Sequence, residues 1–185
     1  MIVHIAQSEQ IQEIAYIENE IEEELIHNFM PGPFTLILKK KEIIPDVVSA
    51  GLDTVGVRMP AHKIAHDLIQ LANVPIAAPS ANLSGKPSGT KIEDIYEEFD
   101  GKVSAIIDAG NSEVGVESTV VKVMNGIPTI LRPGRVTLED IIELVGIGQI
   151  SPKVMEKVEN NQKVECPGMK YRHYAPETKC ILVLR

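Results

Sequence analysis

The stretch Val74-Pro75-Ile76-Ala77-Ala78-Pro79-Ser80-Ala81-Asn82-Leu83-Ser84-Gly85 joins an apolar run to a cluster of small hydroxyl and amide residues. Residues 74–78 read as a short buried strand, and Pro87, Ser88 and Gly89 separate the cluster from a helical pattern that begins at Ile92. A strand ending in Ser, Asn and Gly ahead of a helix gathers backbone N–H groups and side-chain donors at one spot. That arrangement suits phosphate or carboxylate oxygens. The same residue types also fill ordinary capped turns for local reasons, and the segment alone leaves both readings open. Strand, polar loop and helix in succession indicate an α/β fold.

Upstream, residues 2–6 read as a strand. Ser8 is placed to cap a short helix with Ile11, Ile14 and Ala15 on its apolar face. A second helical pattern covers 17–30, with Ile17, Ile21, Leu25 and Ile26 on one side and the acidic run from Glu18 to Glu24 as its solvated face. Pro31-Gly32-Pro33 stops it, and Phe34-Thr35-Leu36-Ile37-Leu38 is the next strand. In Thr54-Val55-Gly56-Val57-Arg58-Met59-Pro60, alternation puts Val55 and Val57 on one face and Thr54, Gly56 and Arg58 on the other. Pro60 ends that strand just after Arg58, where a ligand or only solvent can meet the guanidinium. A helix over 62–71 is expected to turn Ile64, Leu68 and Leu71 inward. His62 and His66 lie four apart on it without a third metal ligand.

Downstream, a helix is expected over 92–99 and strands over 103–108 and 116–123. Asn125-Gly126 marks a hairpin leading to Pro128-Thr129-Ile130-Leu131-Arg132-Pro133-Gly134. Thr137 caps a helix over 138–145, with Glu139 and Asp140 suited to its dipole. From Ile147 the texture changes, and residues 151–165 are polar without an apolar period. Two tyrosines and three basic side chains then crowd into Met169-Lys170-Tyr171-Arg172-His173-Tyr174. The reading divides the chain into a domain over 1–148, a linker over 149–177 and a first strand of another unit over 178–185.

The totals narrow the class. The chain has 185 residues, 44% apolar and 24% charged, enough for one well-buried core with an appendage. No apolar run approaches the roughly 18 residues of a membrane helix. Cys166 and Cys180 are the only cysteines, without metal-ligand spacing, so a cytoplasmic location is expected. A net charge of −8 opposes broad nucleic-acid binding, leaving a local basic patch from Lys39-Lys40-Lys41 with Lys170, Arg172 and His173.

Five segments occur in one order: Pro31-Gly32-Pro33-Phe34-Thr35-Leu36-Ile37-Leu38, Val57-Arg58-Met59-Pro60, Pro79-Ser80-Ala81-Asn82-Leu83-Ser84-Gly85, Glu117-Ser118-Thr119-Val120 and Leu131-Arg132-Pro133-Gly134. Together they resemble the YrdC-like threonylcarbamoyl-AMP synthases in their long form with a C-terminal domain. Residues 151–176 are similar to that form's inter-domain linker, with Pro167-Gly168-Met169-Lys170-Tyr171-Arg172-His173-Tyr174-Ala175-Pro176. The resemblance implies an α/β domain with a twisted mixed β-sheet and flanking helices around a concave nucleotide site. It implies an L-threonylcarbamoyladenylate synthase, which joins threonine, bicarbonate or CO2 and ATP into threonylcarbamoyl-AMP and pyrophosphate, with Mg2+. A partner threonylcarbamoyl transferase complex then carries the group to tRNA.

By the same resemblance, His4, Arg58, Ala78 and Ser118 would hold threonine, with Arg58 on its carboxylate. Thr54, Ser80, Asn82, Ser88 and Arg132 would line the ATP side, and Tyr171 would reach in from the linker. The similar proteins carry a threonine- and phosphate-binding segment ahead of the His4 strand. These 185 residues do not contain one, and the reading expects a chain truncated at both ends. The competing readings are an inactive fragment of such an enzyme, a double-stranded RNA-binding module, and a carbamoyl-adenylate-forming domain like those of hydrogenase maturation.

Overall fold

The computed structural model describes residues 1–83 and 85–154; the expected linker basic cluster, Tyr171, both cysteines and the C-terminal strand lie outside the described residues. The strands are β1 (Ile2–His4), β2 (Ala15–Tyr16), β3 (Phe34–Lys40), β4 (Thr54–Arg58), β5 (Ile76–Ala78), β6 (Thr119–Met124), β7 (Ile127–Arg132) and β8 (Gln149–Ile150). They form one mixed sheet in the order β5-β1-β4-β3-β6-β7-β8, with β2 paired to β3. Pairs β1/β4, β3/β6 and β7/β8 are parallel, and the other pairs are antiparallel. The α-helices are α1 (Ile11–Ile14), α2 (Glu20–Phe29), α3 (Asp46–Ser49), α4 (Lys63–Ala72), α5 (Ile92–Phe99) and α6 (Leu138–Val145).

Alternation decides where the core sits. Val3, Phe34, Leu36, Leu38, Val55, Val57, Val121 and Ile130 point to one face of the sheet and pack with Ile11, Ile14, Leu25, Ile26 and Ile141. Phe29 on α2 meets Phe34 with ring centroids 5.2 Å apart. The opposite face has a smaller cluster of Ile37, Val120 and Leu131. The central strand β3 is therefore buried on both sides from Phe34 to Leu38, as its apolar run, broken only by the buried Thr35, requires.

Local chemistry explains several element ends. Asn19 Oδ1 accepts the Glu22 N–H at 3.0 Å and starts α2. Thr137 Oγ1 accepts the Asp140 N–H at 3.2 Å while Asp140 Oδ2 accepts the Thr137 N–H at 2.8 Å, a capping box that opens α6. Asn125 and Gly126 both have positive φ, 52° and 78°, as a two-residue hairpin between twisted strands demands.

Several expectations change. The helix expected over 17–30 begins at Glu20, because Ala15 and Tyr16 pair with Lys40 and Lys39 as β2. The first helix is capped around Gln7, whose N–H donates to Gln10 Oε1 at 3.1 Å, rather than by Ser8. Within the acidic run, Glu22 is buried and accepts the Glu18 N–H at 2.7 Å, so it is part of the turn and not solvated. Burial raises its pKa. On α4 the stripe expected to face inward is exposed: Ile64, Leu68 and Leu71 are 41%, 48% and 85% accessible, and Ile69 is the buried side chain. Residues 103–108 form no strand, since no described neighbour pairs with them, and β6 starts at Thr119 rather than at 116. The sheet also takes in Gln149 and Ile150, beyond position 148, through parallel pairing with Thr129 and Ile130.

Candidate functional site

One row of residues crosses the less covered face at one end of the sheet. His4 of β1 is opposite Arg58 of β4, Thr35 of β3 is opposite Val120 of β6, and Val120 is opposite Arg132 of β7 across a register shift that brings Arg132 into the row. Thr35 follows next after the Leu36–Val57 pair, so it adjoins Arg58 across β3/β4. Residues in register share a face, which gathers one histidine, two arginines and a threonine from four strands.

Ser118, just ahead of β6, knits the row together. Its buried hydroxyl lies 2.8 Å from Thr35 Oγ1. Arg132 donates from Nε and Nη2 to the Ser118 carbonyl at 3.1 and 2.9 Å, and from Nη2 to Ser118 Oγ at 3.0 Å. Arg58 donates from Nε to the Gly32 carbonyl at 3.2 Å, and Gly32 N–H donates to the Met59 carbonyl at 2.9 Å. The Pro31-Gly32-Pro33 turn thus braces the end of β4, and Pro33 O also accepts the Thr119 N–H at 2.9 Å. On β6, Thr119 Oγ1 donates to Val136 O at 2.8 Å and accepts Val136 N–H at 3.0 Å.

The electrostatics of the row are those of an anion site. Arg58 and Arg132 stand about 14 Å apart at their backbones, three strand spacings, yet their charges repel. Burial and the Arg132 charge lower the Arg58 pKa, against an opposing pull from Glu117. His4 is held below its ordinary value by burial first and by Arg58 second, against smaller opposing effects from the Ile76 and Ile2 backbone. Its Nδ1 is buried and has no hydrogen-bond partner among the described residues.

A loop approaches the row from the β5–α5 side. Ser88 Oγ donates to Glu117 Oε1 at 2.5 Å and to Asn82 Oδ1 at 3.2 Å. Asn82 Nδ2 donates to the Leu83 and Lys86 carbonyls at 3.0 Å each. Glu98 of α5 accepts the Leu83 N–H at 2.9 Å and pairs with Lys86 at 3.2 Å.

Of the residues expected from the sequence, His4, Arg58, Ser118 and Arg132 lie in the row, and Ser88 and Asn82 reach it through Glu117. Ala78 is opposite Ile2, two residues along the sheet edge from the His4–Ile76 pair. Thr54 shares the Arg58 face but lies four residues along β4, about 13 Å away. Ser80 is exposed, its carbonyl accepting the Asn82 N–H at 3.0 Å. Tyr171 is outside the described residues. Sequence reasoning gave no role to Thr35 or Glu117. Thr35 was detectable as the polar member of an apolar run in phase with Arg58. Glu117 was hidden because its partner is 29 residues away.

The suggested Lys39-Lys40-Lys41 patch is engaged locally. Lys39 pairs with Glu18 at 3.3 Å and Lys40 with Asp46 at 2.6 Å, while Lys39 and Lys41 lie over the Tyr16 ring at 5.9 and 5.1 Å. Among the described residues, no group of three or more His, Cys, Asp or Glu could hold a metal, and no helix is long and apolar enough to cross a membrane.

Residues 1–134 match the family model described as telomere recombination (Sua5, YciO and YrdC), and residues 136–185 match that of the threonylcarbamoyl-AMP synthase C-terminal domain. A threonylcarbamoyl-AMP synthase of Pyrococcus abyssi is 50% identical over 183 residues, which are 99% of this chain and 53% of that protein. One of Bacillus subtilis is 44% identical over 177 residues, 95% of this chain and 50% of that protein. The crystal structure of P. abyssi Sua5 complexed with L-threonine superposes with a TM-score of 0.89 at 49% identity, covering 96% of this chain and 52% of that one. The chain spans about half the length of the curated relatives it matches. With its mixed sheet, its arginine row and a family model matched from residue 1 to residue 134, the chain belongs to the Sua5–YciO–YrdC family.

Proposed function

We propose that this chain carries the nucleotide- and amino-acid-binding domain of an L-threonylcarbamoyladenylate synthase. Threonine nitrogen takes up CO2 derived from bicarbonate, and a carbamate oxygen attacks the α-phosphate of ATP. Pyrophosphate leaves, and threonylcarbamoyl-AMP remains for transfer to tRNA by a partner transferase in the cytoplasm. The reaction needs charge neutralisation and alignment more than a proton relay. The observation that carries the reading is the row that places His4 and Arg58 side by side on the sheet face where Arg132 holds Ser118.

In this reading Arg58 pairs with the threonine carboxylate, and His4 Nδ1, Ser118 and the Ala78 backbone complete the amino-acid pocket. Arg132, Ser88, Asn82 and Ser80 serve the nucleotide, with Tyr171 from the linker. Thr54 joins them because an elongated substrate laid along β4 meets both Arg58 and Thr54 on one face. The described residues offer no carboxylate cluster for Mg2+, and the fitting assignment is a cation that enters chelated by the ATP phosphates. Pyrophosphate release from ATP by the purified chain tests the proposal. Release that requires both threonine and bicarbonate supports it; ATP turnover indifferent to threonine, or none, overturns it for this chain.

A further inference from the structure

We infer that Glu117 is a positioning residue that ties the loop around Ser88 to the arginine row, so that both halves of the site assemble together. The inference rests on the proposed ATP site for its functional consequence, and on geometry alone for the tether.

The two ends of this tether differ in rigidity. At the sheet end, the Glu117 backbone is clamped: a Cβ built on Gly134 would stand 2.5 Å from both Glu117 O and Thr119 N. Thr119 N–H is bonded to Pro33 O at 2.9 Å, and the neighbouring Ser118 is held by Arg132. At the loop end, the contacts run to α5 rather than to the sheet. Glu98 takes the Leu83 N–H and the Lys86 ammonium, and Asn82 closes on Leu83 and Lys86. Helix α5 itself contains no buried residue. Loop and helix therefore form a unit without a deep apolar anchor, and the Ser88–Glu117 bond at 2.5 Å joins it to the rigid sheet.

The carboxylate does two things from that position. It accepts the Ser88 hydroxyl, a charge-assisted bond of the stronger class. Its charge also faces Arg58, which it attracts while Arg132 repels it. A pinned carboxylate of this kind fixes where the Ser88 hydroxyl and the Arg58 guanidinium stand relative to each other before any ligand arrives. Pre-organisation of that sort spares the ligand the cost of ordering the loop.

Three variants separate the roles. Glu117→Gln keeps the length and the acceptor oxygen, Glu117→Asp keeps the charge but falls short of Ser88, and Glu117→Ala removes both. Hydrogen exchange of the whole chain, read over 82–90 and over 119–132, is measured together with ATP binding by calorimetry. The tether predicts that Ala and Asp each speed exchange over 82–90 by about tenfold and weaken ATP binding by about tenfold, the loss of one charge-assisted bond. Exchange over 119–132 stays as in the wild type, and Gln, which keeps the acceptor oxygen without the charge, falls between the wild type and Ala in both readouts. Loop exchange unchanged in Glu117→Ala overturns the inference. So does equal acceleration over 119–132, which marks a general structural role, or loop exchange in Gln as fast as in Ala. Should the wild-type chain bind no ATP, the functional reading fails, while the exchange data still decide the tether.

Discussion

Arg132 holds Ser118 by three hydrogen bonds, two to its carbonyl and one to its hydroxyl. The last residue of β7 is thereby locked to the residue that precedes β6. The fork geometry of guanidinium makes this possible, since a lysine ammonium cannot reach both oxygens at those angles. Arg132→Lys is expected to lower threonine-dependent pyrophosphate release at least tenfold, the equivalent of about 1.4 kcal/mol, with the charge retained. Activity within threefold of wild type would show that charge alone suffices there.

Ser118 and Thr35 share a buried hydroxyl contact at 2.8 Å. Ser118→Ala leaves Thr35 Oγ1 without that partner and is expected to cost about 1–3 kcal/mol in urea unfolding. Thr35→Val on top of it removes the stranded hydroxyl, so the double variant should be less destabilised than the sum of the singles by about 1 kcal/mol. Strict additivity would mean the two hydroxyls act independently.

Gly134 faces the backbone of 117–119 so closely that any side chain collides with Glu117 O and Thr119 N at 2.5 Å. Those atoms belong to the clamped turn and cannot yield cheaply. Gly134→Ala is expected to destabilise by about 1–3 kcal/mol and to shift Ser118 as well, reducing threonine binding in calorimetry. A variant with unchanged unfolding midpoint and unchanged binding contradicts the packing described above.

His4 gives the site a pH signature. Its folded pKa is lowered, by burial first and by Arg58 second, from a value of 6.5 in the unfolded chain. Between the folded and unfolded values the unfolded state binds the proton more readily, so stability rises with pH there. The contribution is full above about pH 6.5 and is lost as the pH falls below it toward the folded value. Urea midpoints of the wild type should therefore drop between pH 7.5 and 5.5, with a shallower drop in His4→Gln. Parallel curves for the two proteins would remove His4 from the account.

Thr137 supplies a check unrelated to the site. Its hydroxyl caps α6, and Thr137→Ala should cost about 1 kcal/mol while leaving pyrophosphate release at wild-type levels below the unfolding transition.

The elements legible in the chain were those with strong local signals. Asn125-Gly126, Thr137 with Asp140, and the alternating Thr54–Arg58 strand each carry their own geometry in residue type and spacing. Ala15 was misread as part of the first helix because a two-residue strand has no period to detect, and only pairing with Lys40 defines it. The Ile64, Leu68 and Leu71 stripe has the spacing of a buried face, yet among the described residues nothing covers it. Periodicity shows that a face is apolar, not that a neighbour exists. Residues 103–108 fail as a strand for the same reason, since a strand is completed by hydrogen bonds from another segment.

The sequence by itself determined that this is an α/β chain with a polar loop after a short strand, and that Arg58 closes a strand. It also contained the ordered set of segments that marks the family. Only the tertiary structure decided that His4, Arg58, Thr35 and Arg132 share one face of the sheet, and that Glu117 reaches Ser88. The physical reason is register. Side-chain direction along a strand follows from counting by two, but which residue stands beside it depends on strand order and offset. Those are set by the packing of the whole sheet against α1, α2 and α6.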